Sequence, residues 1–199
     1  MIDKLPPLVQ LLKNLQQVPY LASKNIYRVA SHFLLMDYAK AEQFCTIILE
    51  AKKKLTQCIT CFSWQEKERE CLFCSAVNRN RNVICVVETW QELLAIEKTG
   101  GYSGVFHILG GVICPLEGIG VEDLTIVNLV KRVDEGASEV ILALNQTPEG
   151  EATAAYIANK LKGKPVVISC LARGLPVGSS LESMDRLTVY KALSERRPF

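Results

Sequence analysis

The chain carries two Cys-x-x-Cys pairs, Cys58-Ile59-Thr60-Cys61 and Cys71-Leu72-Phe73-Cys74, with nine residues between them. Each pair brings two sulfurs together from one tight turn. Two such turns side by side make a cage of four thiolates, the tetrahedral coordination that Zn²⁺ prefers. The gap is short for a generic four-cysteine site but suffices for a small knuckle or ribbon. Disulfides are the alternative, and a reducing compartment disfavours them. Four thiolates leave no coordination position for water or substrate, so the metal is expected to hold structure rather than to catalyse. Binding at isolated sites of this kind is worth about 10–16 kcal/mol, enough to organise a segment with little core of its own. Gln65 to Glu70 is wholly polar, while Phe62, Trp64, Leu72 and Phe73 are expected to cover the cage. The other cysteines, Cys45, Cys85, Cys114 and Cys170, stand singly in apolar stretches and read as buried small hydrophobes.

A chain of 199 residues has room for one medium domain with small appendages. Its start, Met1 to Pro7, lacks the basic-then-apolar layout of a signal peptide, and no apolar run approaches bilayer length. A soluble, cytoplasmic protein without a membrane anchor is expected. Charge is unevenly placed: residues 1–82 hold 12 Lys/Arg against 7 Asp/Glu, and residues 83–199 hold 11 against 14. A basic front half suits a polyanion and an acidic back half a protein partner or metal, although ordinary surface scatter gives such splits too.

The front half reads as helices. Leu5, Leu8, Leu12 and Leu15 form a helical stripe, with Asp3 as cap and Pro6-Pro7 in the first turn. Ser23 is expected to cap a second helix whose inner face is Ile26, Val29, Ala30 and Phe33. A third runs from Tyr38 to about Leu55 with Phe44, Ile48, Ala51 and Leu55 inward. Lys52-Lys53-Lys54 at its end complements the helix dipole and could also meet phosphate. After the cysteines the rhythm changes. Val83–Val87, Val105–Leu109, Val140–Leu144 and Val166–Ile168 are continuous β-rich runs, alternating with helical stretches at Trp90–Thr99, Glu122–Asp134 and Glu149–Leu161. Such alternation implies right-handed crossovers and a mainly parallel sheet buried on both faces. A Gly/Pro loop and a last helix ending near Ser194 close the chain. Ligands of such a sheet gather at the carboxyl ends of its strands. Glu88 follows the first strand there, and Asn145 to Glu151 follows the third. His32 and His107, the two histidines, read as structural, and neither Gly100-Gly101 nor Gly110-Gly111 is followed by the Lys-Ser/Thr of a phosphate-cradling loop.

Four strings in this order carry a resemblance: Ile84-Cys85-Val86-Val87-Glu88, then His107-Ile108-Leu109-Gly110-Gly111 with Pro115 to Gly120, then Glu149-Gly150-Glu151-Ala152-Thr153-Ala154, and last Leu171-Ala172-Arg173-Gly174-Leu175-Pro176-Val177-Gly178. Together with the four cysteines and the helical front they resemble the RecR family of bacterial recombination mediators. The resemblance implies an α/β protein in four parts: a helix-hairpin-helix region over 1–56, a four-cysteine zinc element over 57–77, a Toprim-like domain over 78–168, and a loop and helical tail over 169–199. It implies DNA binding, a ring-like homo-oligomer that is commonly a tetramer, and work with RecO, in some systems also RecF, to load RecA onto single strands coated by single-strand-binding protein.

The chain departs from the family pattern in one place that matters. The family hairpin usually carries two glycines, and here Tyr20 and Ala22 stand in those places, which impairs capture of phosphate by backbone amides. Lys24 and Arg28 keep the basic positions of the following helix and, four residues apart on one face, are expected to clamp phosphates by charge. Arg79, Arg81 and Lys52 to Lys54 are further phosphate candidates. Active Toprim domains hold Mg²⁺ with a Glu after the first strand and an Asp-x-Asp after the third. Glu88 keeps the first place, but Asn145 and Thr147 replace both aspartates. Neutral oxygens attract the cation much less. No catalytic residue is therefore assigned. Glu88, Glu149 and Glu151 read either as a partner-docking acidic patch or as helix-start charges favoured by the dipole. A Mg²⁺-dependent nuclease or topoisomerase-like enzyme and a zinc-ribbon interaction module without DNA binding are the alternatives.

Overall fold

The computed structural model describes residues 4–172, 174–176 and 178–196. Asp3 of the expected first cap, and Arg173 and Val177 of the tail string, lie outside them. Two compact units emerge, Met1–Leu55 and Thr56–Phe199.

The first unit has three helices, α1 (Pro6–Gln16), α2 (Ser23–Leu35) and α3 (Tyr38–Lys54). Leu12 of α1 and Ile26 and Ala30 of α2 are buried against each other, with Leu8, Leu11, Leu15 and Leu21 around them. That core rests on the leucine stripe read from the sequence. Two expected caps differ. Leu5 and Ala22 occupy the cap positions of α1 and α2 without side-chain hydrogen bonds, so Ser23 is the first helical residue. The larger difference is α3, which buries none of its residues. Phe44 does meet Phe33, ring centres 5.3 Å apart, yet Phe44, Ile47, Ile48 and Leu49 remain largely exposed. The helical period was right, but α2 leaves its own Leu34 and Leu35 exposed and meets α3 through Phe33 and Phe44 without covering this face. His32 is also exposed, its ring edge-to-face with the neighbouring Phe33 at 5.7 Å.

A two-stranded ribbon of β1 (Leu55–Gln57), which starts at the last residue of the first unit, and β2 (Trp64–Glu66) comes next. The main sheet of the second unit has four strands, β3 (Asn80–Val87), β4 (Gly104–Ile108), β5 (Glu139–Leu142) and β6 (Val167–Cys170), in the order β4-β3-β5-β6. All three pairings are parallel. Helices α4 (Trp90–Glu97), α5 (Ile126–Asp134) and α6 (Pro148–Leu161) connect them, and α7 (Arg186–Ser194) follows. The predicted strands and helices are all present with ends shifted by a few residues. The exception is the start of the helix expected at Glu122: Val121–Asp123 is a separate 3₁₀ turn, and α5 starts at Ile126.

The first three apolar runs have the burial they foretold, whereas the fourth lies on the edge strand β6, where Val167 is exposed and Val166 and Ile168 are half-buried. On β3, Ile84 and Val86 enter one core layer with Leu129, Val133, Ile157 and Leu161, while Cys85 and Val87 enter the opposite layer with Leu93 and Phe106. Of the four single cysteines only Cys85 is buried; Cys45 and Cys170 are exposed and Cys114 is half-buried, because they sit on the uncovered α3, the edge strand β6 and a loop. The chain leaves β3 for β4 on one side and returns to β5 on the other, so the carboxyl end of β3 is a topological switch point, where open α/β sheets form crevices.

Candidate functional site

The first knuckle is shaped by its own backbone. Phe62 N–H donates to the Cys58 carbonyl at 3.0 Å, Cys58 N–H donates to the Ser63 carbonyl at 2.8 Å, and Phe62 adopts a left-handed φ of 62°. The Thr60 amide points at the Cys58 sulfur, 3.4 Å away. In the second knuckle Ser75 N–H donates to the Cys71 carbonyl. The four Sγ atoms of Cys58, Cys61, Cys71 and Cys74 all lie within 4.8 Å of one another. Two of the pairs are at 3.6 Å (Cys58–Cys74) and 3.5 Å (Cys61–Cys71). Four sulfurs around Zn²⁺ at Zn–S of about 2.3 Å would stand about 3.8 Å apart, so the cluster fits that ion. The hydrogen bond shared by Cys61 and Cys71 acts on the two thiols in opposite senses, pushing Cys61 up to about 12 and holding Cys71 well below the ordinary thiol range. A divalent cation takes all four as thiolates, since thiolates are its ligands.

Phe73 packs on the cysteines, whereas Leu72 and Trp64 face outward, contrary to expectation. Phe62 turns to the sheet, its ring edge-to-face with His107 at 5.4 Å. The knuckle is fastened to the outer edge of β4: Ile108 N–H donates to the Cys61 carbonyl at 2.9 Å.

Behind the cage His107, buried as the structural histidine expected, meets the half-buried Arg132, a partner that sequence reasoning missed. Arg132 donates to the Phe106 carbonyl at 2.7 Å and to His107 Nδ1 at 3.2 Å. His107 Nε2 lies 3.1 Å from the Thr125 carbonyl, which can only accept, so the imidazole is neutral with its proton on Nε2. Burial, and next the Arg132 charge, push His107 down to about 3. Burial also lowers Arg132, against the pull of the Cys61, Cys74 and Cys58 sulfurs. Arg132 makes no ion pair with a carboxylate among the described residues, and with Arg81, Thr60 and Cys74 it lines a cavity of about 360 Å³. Its positive charge sits beside the cluster, where four thiolates around one divalent ion leave an excess of negative charge. Ser63, fully buried, adds a hydroxyl between Cys61 (3.1 Å) and Cys71 (3.4 Å).

The second candidate site is the switch point. Glu88 is almost fully buried at the end of β3. Asn145, following β5, donates to it twice: its backbone N–H to Oε1 at 2.6 Å and its Nδ2 to Oε2 at 2.8 Å. The amide that replaces an acid thus holds the glutamate by direct hydrogen bonds. Thr147, the other replacement, caps α6 by accepting from Gly150 N–H at 3.1 Å. Gly150 is needed for this closeness, because a Cβ there would stand 2.2 Å from the Asn145 carbonyl oxygen. Glu149 and Glu151 lie in the first turn of α6, and Glu151 pairs with Lys191 of α7 at 2.7 Å. A fourth acid was overlooked. Glu92 caps α4 in a box with Thr89. Burial alone would raise its carboxyl, but hydrogen bonds from Thr89, from backbone amides and from Asn145 outweigh it and hold it below the ordinary range. The spacing Thr89-x-x-Glu92 was the available signal.

Lys24 and Arg28 are both exposed on α2 and pair with no acid among the described residues. Arg79 does not fit the phosphate role considered for it. It forms a two-pronged bond to Glu97 at 2.6 and 2.7 Å, donates to the Gly104 carbonyl and lies over the Phe106 ring. Lys54 pairs with Glu50 at 3.0 Å, while Lys52, Lys53 and Arg81 are exposed.

Comparison with known proteins adds a separate line. Residues 82–172 match the Toprim domain family, and residues 174–197 match a family described as RecR, C-terminal. The chain is 42% identical over 196 residues to the recombination protein RecR of Syntrophobacter fumaroxidans, covering 98% of this chain and 97% of that one. It is 43% identical over 189 residues to that of Desulforudis audaxviator (94% and 95% covered) and 40% identical over 195 residues to that of Treponema pallidum (98% and 96% covered).

Proposed function

The chain belongs to the RecR family, and from that premise we propose that it is a non-enzymatic, DNA-binding mediator of recombinational repair, acting with RecO, and where present RecF, to load RecA onto single strands coated by single-strand-binding protein. The relatives' shared name supports the repair role. The observation that carries the non-enzymatic reading is the Asn145–Glu88 lock. An active site of this type needs several carboxylates converging on one divalent ion. Here the position opposite Glu88 is an amide that donates to it, so the glutamate's lone pairs are directed at protein rather than at a cation.

In this reading Cys58, Cys61, Cys71 and Cys74 hold one structural Zn²⁺ per chain, with Arg132 offsetting the negative charge of the cluster. Lys24 and Arg28 contact DNA phosphates. Glu88, Glu149 and Glu151 mark the acidic face that docks RecO, with Glu92 beside them. The chain assembles with copies of itself as a ring, a tetramer being the family habit, and the uncovered apolar face of α3 supports self-association. Several weak basic patches in one ring raise avidity without a strong single contact.

The test is a titration of labelled single-stranded and duplex DNA against salt, with and without Mg²⁺. Binding whose affinity falls steeply with salt, weakened by Lys24→Ala/Arg28→Ala and unaccompanied by strand cleavage or rejoining, is expected. Mg²⁺-dependent hydrolysis that Glu88→Gln abolishes would refute the non-enzymatic role, and salt-indifferent or absent binding would refute the DNA role.

A further inference from the structure

The tip of the hairpin between α1 and α2 is a tight turn, Val18-Pro19-Tyr20-Leu21, closed by Leu21 N–H donating to the Val18 carbonyl at 3.3 Å. Tyr20 takes the third place with a φ of 64°. Turns with Pro second and a left-handed third residue take glycine there, because any side chain strains that backbone. The strained residue here is a tyrosine, and its side chain is wholly exposed, at 105%. No hydrogen bond, ion pair or ring contact engages it among the described residues. The ring gives this fold neither burial nor a bond, while its Cβ costs conformational energy. Strain retained without a stabilising contact points to a role outside the fold.

The surroundings specify that role. Lys24, Tyr27 and Arg28 follow on α2 at spacings of three and four residues, so they share one face. Tyr27 is 60% exposed and both cations are exposed. Residues 4–36 contain four Lys/Arg and no Asp or Glu. Cations that follow a phosphate backbone, interleaved with aromatic rings that take base faces, are the elements of a single-strand site. A duplex hides those base faces in its stack.

We propose that Tyr20 is a base-stacking residue of a single-stranded nucleic acid site completed by Tyr27, Lys24 and Arg28. The inference rests on the DNA-binding reading above and adds the ligand's form and the means of gripping it. Where a glycine hairpin offers amides to a phosphate, this hairpin offers a ring to an unpaired base.

The experiment is fluorescence anisotropy of the full chain with a labelled oligothymidylate and with an abasic strand of equal length, which keeps the phosphates and removes the bases. Tyr20→Ala is expected to weaken oligothymidylate binding at least about fivefold, as loss of one stacked base does. It is expected to leave abasic binding within about twofold, and Tyr20→Phe to bind like the parent. Lys24→Ala should weaken both strands alike. Undiminished oligothymidylate binding by Tyr20→Ala, or an equal loss on the abasic strand, overturns stacking while leaving the DNA-binding reading intact. A parent chain that binds neither strand overturns both. Circular dichroism of the Tyr20 variants shows that the helices persist.

Discussion

At position 145 two N–H donors, one of the backbone and one of the side chain, hold Glu88. Asn145→Asp would replace a donated hydrogen bond at 2.8 Å with two facing carboxylates. The variant is expected to lose about 1–3 kcal/mol at neutral pH, and millimolar Mg²⁺ should restore part of the loss while leaving the parent unchanged. Thermal unfolding with and without Mg²⁺ checks this, and an indifferent variant would mean the lock carries no energy. His107 yields a pH prediction. Its folded pKa of about 3 lies below its ordinary 6.5, so the unfolded chain binds the proton first as pH falls. The stabilisation is fully present above pH 6.5 and drains away by up to about 1.4 kcal/mol per unit as the pH drops towards 3. Urea unfolding with excess zinc should show that slope, and His107→Gln should flatten it. Glu88, Asn145 and Thr147 were legible because a known pattern assigns their places. That Asn145 binds Glu88, or that His107 leans on Arg132, was not, since those partners stand 57 and 25 residues apart in sequence and meet only once the strands align.

Among elements, the cysteine knuckle was the most legible and α3 the least. Spacing alone brought four sulfurs together, because each Cys-x-x-Cys closes a local turn. A helical period likewise reveals an apolar face, but not what covers it; Phe44 and Ile48 kept the period and remained exposed, and Leu55 fell outside the helix, in β1. The strands were readable as runs buried on both sides, and their ends were not, because hydrogen bonding to neighbours sets them. Cys71→Ser is predicted to purify with much less than one zinc per chain and to unfold at a clearly lower temperature, since one hydroxyl is a poor substitute for a thiolate. Metal analysis beside calorimetry checks both, and full zinc with unchanged melting would show the cage to be dispensable. The knuckle's reach extends past its own loops, through Phe62 against His107 and Phe73 against the Phe106 ring.

For the molecule as a whole, alternating strands and helices announced a parallel sheet, whereas the order β4-β3-β5-β6 came only from the folded chain, as no local signal says on which side of β3 the next strand will lie. The apolar face of α3 belongs to this scale, since nothing in its own unit covers it. Phe44→Glu/Ile48→Glu is expected to shift the protein to smaller species in sedimentation velocity with its helical content kept. An unchanged distribution would place self-association elsewhere. One contact described above reaches further than its size suggests. The Cys61 carbonyl holds the Ile108 amide on the outer edge of β4, where Arg132 and Thr125 take the Phe106 and Ile108 carbonyls. If a metal holds the knuckle in place, its removal would free the Ile108 amide on that edge for the next molecule. Solutions treated with a strong chelator should therefore cloud on standing before their circular dichroism changes, as light scattering would record.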